Sequence, residues 1–214
     1  MADQTQQPEA EREQDRLDLT HALWLATWDN NLCNCPKNNG ANRVLDIGTG
    51  TGVWALDYGG YLELQDNMFP LKCQDGPMPD DFTPHKWSKL LVEGTDKIGR
   101  PITVAASFKQ MLEDAGFVDV EERREIWPFN PWPKDKKLNN LGAWSQSSTL
   151  MGVEAISMAL FTRVLGWSPE EVTVFCADVR NAHKKIGVHA YYDVYAAWGR
   201  KPEKEDEKDE ADQS

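Results

Sequence analysis

The chain predicts an α/β domain, a short sheet with helices packed on it. Three observations carry that prediction. A buried strand runs through a glycine turn into a helix at residues 43–57. Strand-like and helix-like segments follow in the order β-α-β, α, β, αα, β. And 214 residues leave room for one core of ordinary size.

The elements follow in order. Residues 11–29 predict a helix with a loosely apolar face (Leu17, Leu23, Trp24, Trp28) and acids in the first turn, where the helix dipole favours them. An Asn-rich loop at 29–42 leads to the strand Arg43-Val44-Leu45-Asp46-Ile47, the turn Gly48-Thr49-Gly50-Thr51-Gly52 and the start of a helix. A second strand is expected at Tyr61–Asp66, then a Pro- and Asp-rich loop over 67–84. Residues 86–115 read as helix broken near Gly99-Arg100-Pro101, stopping at Gly116, a residue suited to a helix C-terminus. Phe117–Ile126 alternates as a strand, and WPFNPWP at 127–133 is a proline-stiffened connector. A Met-bearing helix is expected over 144–165. A further helix opens at Ser168-Pro169-Glu170-Glu171, where Ser N-cap, Pro and Glu form a capping box. The last strand is His189–Trp198, rich in Tyr, Val and Trp.

Composition narrows the function classes. The net charge of −12 is concentrated at the ends: residues 1–18 and 201–214 contribute −4 each, leaving −4 for the body. The expected organisation is therefore a polar tail at 1–12, one domain at 13–200 with a helical cap at 134–187, and an acidic tail at 201–214. No basic stripe suits a phosphate backbone, so no nucleic-acid partner is expected. No apolar run reaches the roughly 18 residues of a membrane span, and the expected compartment is the cytoplasm, with the nucleus also open. Cys33, Cys35, Cys73 and Cys176 are scattered; only Cys33 and Cys35 lie close together, no second pair completes a metal set, and all four read as thiols.

The informative stretch is Val44–Gly52. Glycines at a strand end let a ligand approach the backbone, and the following helix offers unpaired N–H groups. The spacing is G-x-G-x-G, with Asp46 two residues before the first glycine, unlike the dinucleotide pattern G-x-G-x-x-G. It resembles motif I of class I methyltransferases, which passes under S-adenosylmethionine. The resemblance implies a cofactor turn made by Asp46, Gly48, Gly50 and Gly52; the bland alternative is a tight βα turn. Gly59–Asp66 is similar to the fifth-strand segment of that fold, and Met111–Val120 to its last helix and sixth strand. Four flanking segments, DRLDLTH at 15–21, WPKD at 132–135, LFTRVLGW at 160–167 and HAYYD at 189–193, resemble the LaeA-type methyltransferases of filamentous fungi, associated with secondary-metabolite biosynthesis and its regulation. The implied architecture is a truncated Rossmann-like methyltransferase sheet with a helical cap on the substrate side. The implied partners are a small-molecule acceptor or pathway enzymes.

The chain departs from that family in one place. Only six residues separate Gly52 from Gly59, where the full fold holds strands two to four and their helices, roughly 65–75 residues. The absent strands normally supply the ribose ligand and the adenine walls. Were strands 43–47 and 61–66 parallel neighbours, the crossover Gly48–Gly60 would have thirteen residues, barely above the minimum of about a dozen. A stunted sheet of four strands is then expected, with an exposed edge. An exon missing from the reading frame would leave the same signature as a genuine loss. The alternative function is a non-catalytic descendant acting through protein contacts.

Other residues bear on the site. Asp66 falls eighteen residues after Gly48, near the spacing of a ribose-binding acid, yet belongs to the fifth strand by resemblance. His21 is either a partly buried core histidine or a functional one, and Arg16 reads as solvated or salt-bridged. Tyr191, Tyr192 and Asp193 open the last strand, where sheet packing competes with a substrate role. The helix at 144–165 reads as core plus cap. No catalytic nucleophile is needed, because methyl transfer depends on aligning acceptor and donor.

Overall fold

The computed structural model describes residues 9–36 and 60–202. In chain order the elements are α1 (Glu9–Thr27), β1 (Tyr61–Cys73), α2 (Thr83–Lys97), a 3-10 turn (Ala105–Ser107), α3 (Phe108–Asp114), β2 (Val118–Pro128), α4 (Lys136–Arg163), α5 (Pro169–His183) and β3 (Ala190–Arg200). The three strands form one sheet in the order β1-β3-β2, with β3 antiparallel to both neighbours. The flanking strands, read above as the fifth and sixth of the full fold, thus run parallel to each other with the last strand between them. The fold is the mixed α/β layer architecture expected of a shortened methyltransferase-like sheet. The strand expected at 43–47, and with it the crossover and the fourth strand, lies outside the described residues.

β3 is buried along nearly its whole length, as a central strand covered on both faces must be. Successive side chains point to opposite faces. Tyr192, Val194, Ala196 and Trp198 join Leu23, Trp28, Trp127, Phe129 and Leu141 in a core under α1 and α4. On the other face, Tyr195 and Ala197 pack against Phe108 and Leu112 of α3. A third cluster ties α2, α4 and α5 together through Trp87, Leu91, Val153, Phe161, Val172, Cys176 and Val179.

Several expected boundaries shift. β1 does not end at Asp66 but continues to Cys73, because Leu71 has a core to enter. Pro70 lacks an N–H for the ladder, and the register with β3 slips between Met68 and Lys72, the kind of irregularity where a strand tolerates proline. α4 begins at Lys136, eight residues before the expected start, because the Asp135 carboxylate accepts from the Leu138 N–H at 2.9 Å and caps it. The capping box of α5 forms as expected: Ser168 Oγ accepts from Glu171 N at 3.1 Å, and Glu171 Oε2 accepts from Ser168 N at 2.7 Å.

Asp193 sits in the middle of β3 with its side chain fully buried. Its carboxylate accepts from Lys72 Nζ on β1 at 2.5 Å and from Arg124 Nη2 on β2 at 2.6 Å. Both cations keep half their surface in water, so the charge is neutralised without burying three ions.

Candidate active-site cavity

A cavity of about 590 Å³ opens between α1, α2, α4 and the sheet. Its floor is aromatic: Phe69 from β1, Trp127 from β2 and Tyr192 from β3, with Trp87 of α2 beside them. Phe69 meets Tyr192 at a ring separation of 5.1 Å and Trp87 at 6.2 Å. Its roof is α4, which brings Ser145, Ser148, Thr149, Ile156 and Leu160 to the space at helical spacing. Arg16, Thr20 and Leu23 of α1 close one side, and Thr95, Ile98, Ile102 and Arg163 stand around the rest.

The hydrogen bonds explain why this space is apolar despite its indoles and hydroxyls. Trp127 Nε1 donates to Thr27 Oγ1 at 2.6 Å, which donates onward to the Leu23 carbonyl at 2.7 Å. Trp87 Nε1 donates to Ser157 Oγ at 2.8 Å, which donates to the Val153 carbonyl at 2.5 Å. Both polar edges are consumed by helix-borne hydroxyls, and the rings are left to act as apolar surface. Thr20 Oγ1 donates to the Arg16 carbonyl at 2.9 Å and lies 3.0 Å from Ser148 Oγ, which therefore donates to it. Burial pushes the ionisation of Tyr192 well above the ordinary tyrosine range, opposed by its hydrogen bond with Thr149. Tyr192 is thus a neutral phenol at any physiological pH.

The expected site residues fare differently. Asp46, Gly48, Gly50 and Gly52 lie outside the described residues. Arg16 is salt-bridged as expected, to Glu13 at 2.7 Å, and also lines the cavity. His21 is exposed on α1, so the reading of it as a partly buried core residue is corrected: its face of α1 turns away from the apolar side carrying Leu23 and Trp28. Tyr192 combines the two roles held open for it, packing in the sheet core and facing the cavity, whereas Asp193 points to the opposite face and serves the sheet. Asp66 is exposed on β1 and accepts from its own neighbour, Asn67 N, at 2.8 Å. Phe69, Trp87, Trp127 and Thr149 carry no local motif, and only Trp127 lies in an aromatic-rich run, WPFNPWP.

Cys33 and Cys35 stand as thiols 3.5 Å apart beside Glu63, and one ligand atom of each lies within 4.8 Å of the others. Sequence spacing did not suggest that Glu63 would join the two thiols. The Glu63 carboxylate already accepts from Asn34 N, Asn34 Nδ2, Cys35 N and Gln65 Nε2. It anchors the 33–35 loop to β1.

No family model matches the chain. Individual proteins do. It is 35% identical to the "Probable methyltransferase tdiE" of Emericella nidulans over 148 residues, 69% of this chain and 47% of that protein, so this match spans about half of the relative's length. It is 28% identical to the "Methyltransferase pytC" of Aspergillus terreus over 91% of this chain and 82% of that one. It is 23% identical to the "Secondary metabolism regulator LAE1" of Cochliobolus heterostrophus over 90% and 88%. This chain is a relative of the LaeA-like fungal methyltransferases. The pytC alignment runs over 267 positions against about 195 residues of this chain (91% of 214), which leaves about 72 positions without a counterpart here. That is the size of the segment expected, and not found, between Gly52 and Gly59.

Proposed function

We propose that the chain is an S-adenosylmethionine-dependent methyltransferase of fungal secondary metabolism acting on a small apolar acceptor held in the cavity. The observation that carries this is the aromatic floor under α4: a space of about 590 Å³ whose indole donors are already occupied suits a flat, apolar molecule. The cavity does not fit the nucleoside of the cofactor, since no described residue that lines it is an acid able to take the ribose hydroxyls. The cofactor contact is assigned instead, by resemblance, to Asp46, Gly48, Gly50 and Gly52. The described residues bind and shield the acceptor. Phe69, Trp127 and Tyr192 hold it flat, and α4 keeps water off it.

A second reading, a non-catalytic descendant that contacts pathway enzymes, is favoured by the 72 missing positions. Calorimetric titration of the full chain with S-adenosylhomocysteine separates the two. Saturable heat, weakened at least about tenfold by Asp46→Ala, supports the enzyme reading, tenfold being about 1.4 kcal/mol of lost binding energy. No heat at millimolar ligand supports the second.

A further inference from the structure

We infer that the cavity takes an apolar molecule bearing one acidic group that is ionised at neutral pH, a carboxylate or an equally acidic oxygen. This rests on the reading of the cavity as the acceptor site and names the acceptor's class.

Three features converge on it. First, the charge lining the cavity has one sign. Arg16 and Arg163 are the charged residues among the described ones that line it, and no Asp, Glu or Lys stands with them. Second, the two arginines are not equivalent. Arg16 is committed to Glu13, whereas Arg163, the last residue of α4, has no hydrogen-bond or ion-pair partner among the described residues. A guanidinium fork at the rim of an apolar space matches a carboxylate in shape and charge, and such a pair strengthens where water is displaced.

Third, the described lining includes no group that could remove a proton. It contains no His, Cys, Asp, Glu or Lys, and its one phenol, Tyr192, is held neutral by burial. An alcohol or amide acceptor would need such a base before it could attack. An oxygen that already carries its charge does not.

The test uses two fluorescent probes with one aromatic frame: anilinonaphthalene sulfonate, whose sulfonate stands in for the carboxylate, and the uncharged phenylnaphthylamine. Both are titrated into the full 214-residue chain. The anionic probe is expected to bind about tenfold more tightly, a typical return for one charge-assisted hydrogen bond. Arg163→Gln is expected to abolish most of that preference while Arg163→Lys keeps part of it. Ala159→Trp, which projects an indole from an exposed position into the cavity, is expected to weaken both probes. Equal affinities in the native chain, or a preference untouched by Arg163→Gln, would overturn the acidic-group inference and leave the acceptor cavity standing. Failure of both probes to bind, or binding indifferent to Ala159→Trp, would remove the cavity as an acceptor site altogether. Neither result depends on whether S-adenosylhomocysteine binds.

Discussion

His183 is an ionisable group held out of water. It is fully buried at the end of α5, stacked on Phe129 at 3.5 Å, with neither ring nitrogen in a well-formed hydrogen bond and only the Phe129 backbone favouring its charged form. Burial drives its pKa from 6.5 down to about 3. Between those values the unfolded chain binds a proton that the folded chain refuses, so stability falls as pH drops below about 6.5, at up to about 1.4 kcal/mol per unit. The loss levels off near the folded value of about 3. His183→Leu removes the titrating group and two orphaned nitrogens together. Urea unfolding at neutral pH and about two units lower should show the native chain losing more stability than the variant. Equal losses would mean that the imidazole finds a partner when charged.

At the scale of elements, α4 shows how closely backbones meet around the site. A Cβ on Gly142 would stand 2.4 Å from the Asn130 carbonyl oxygen, and the obstacle is backbone, which cannot swing aside. Gly142→Ala should therefore cost about 2 kcal/mol, the scale of overpacking in a tight core, despite alanine's better helix propensity. Thermal unfolding would measure it, and a variant as stable as the native chain would show that α4 can shift away from the 129–133 segment. The same helix illustrates what was legible in the sequence. The start of α5 could be placed to the residue because its capping box is local chemistry. α4 could not, because Lys136–Gly142 lacks an apolar stripe and its start is fixed by one carboxylate, Asp135. β1 was cut short at Asp66 because Asn67 and Pro70 look like a loop until β3 is there to pair with. The cavity was legible only in pieces, as the cap helix over 144–165 and the substrate-facing option for Tyr192. Its walls come from residues 16 to 192, and nothing in the spacing of Phe69, Trp127 and Arg163 brings them together.

For the whole molecule, the family was readable and the missing segment was readable as arithmetic, while the cofactor turn itself falls outside the described residues. If the lost strands supplied the nucleoside walls, restoring them should restore affinity. A chimera in which strands two to four of a full-length relative are inserted between Gly52 and Gly59 is expected to bind S-adenosylhomocysteine at least about tenfold more tightly than the native chain, about 1.4 kcal/mol. A folded chimera with unchanged affinity would locate the deficit elsewhere. The strand order has a further consequence, for the ribosome. β1 and β2 meet only through β3, and 61 residues separate Pro128 from Ala190. At about 5–20 residues per second, translation leaves both earlier strands waiting some 3–12 s for the strand that joins them. During that interval the edges that β3 will cover stay unpaired, so slowing synthesis between Pro128 and Ala190 is expected to lower the yield of folded chain in a cell-free translation.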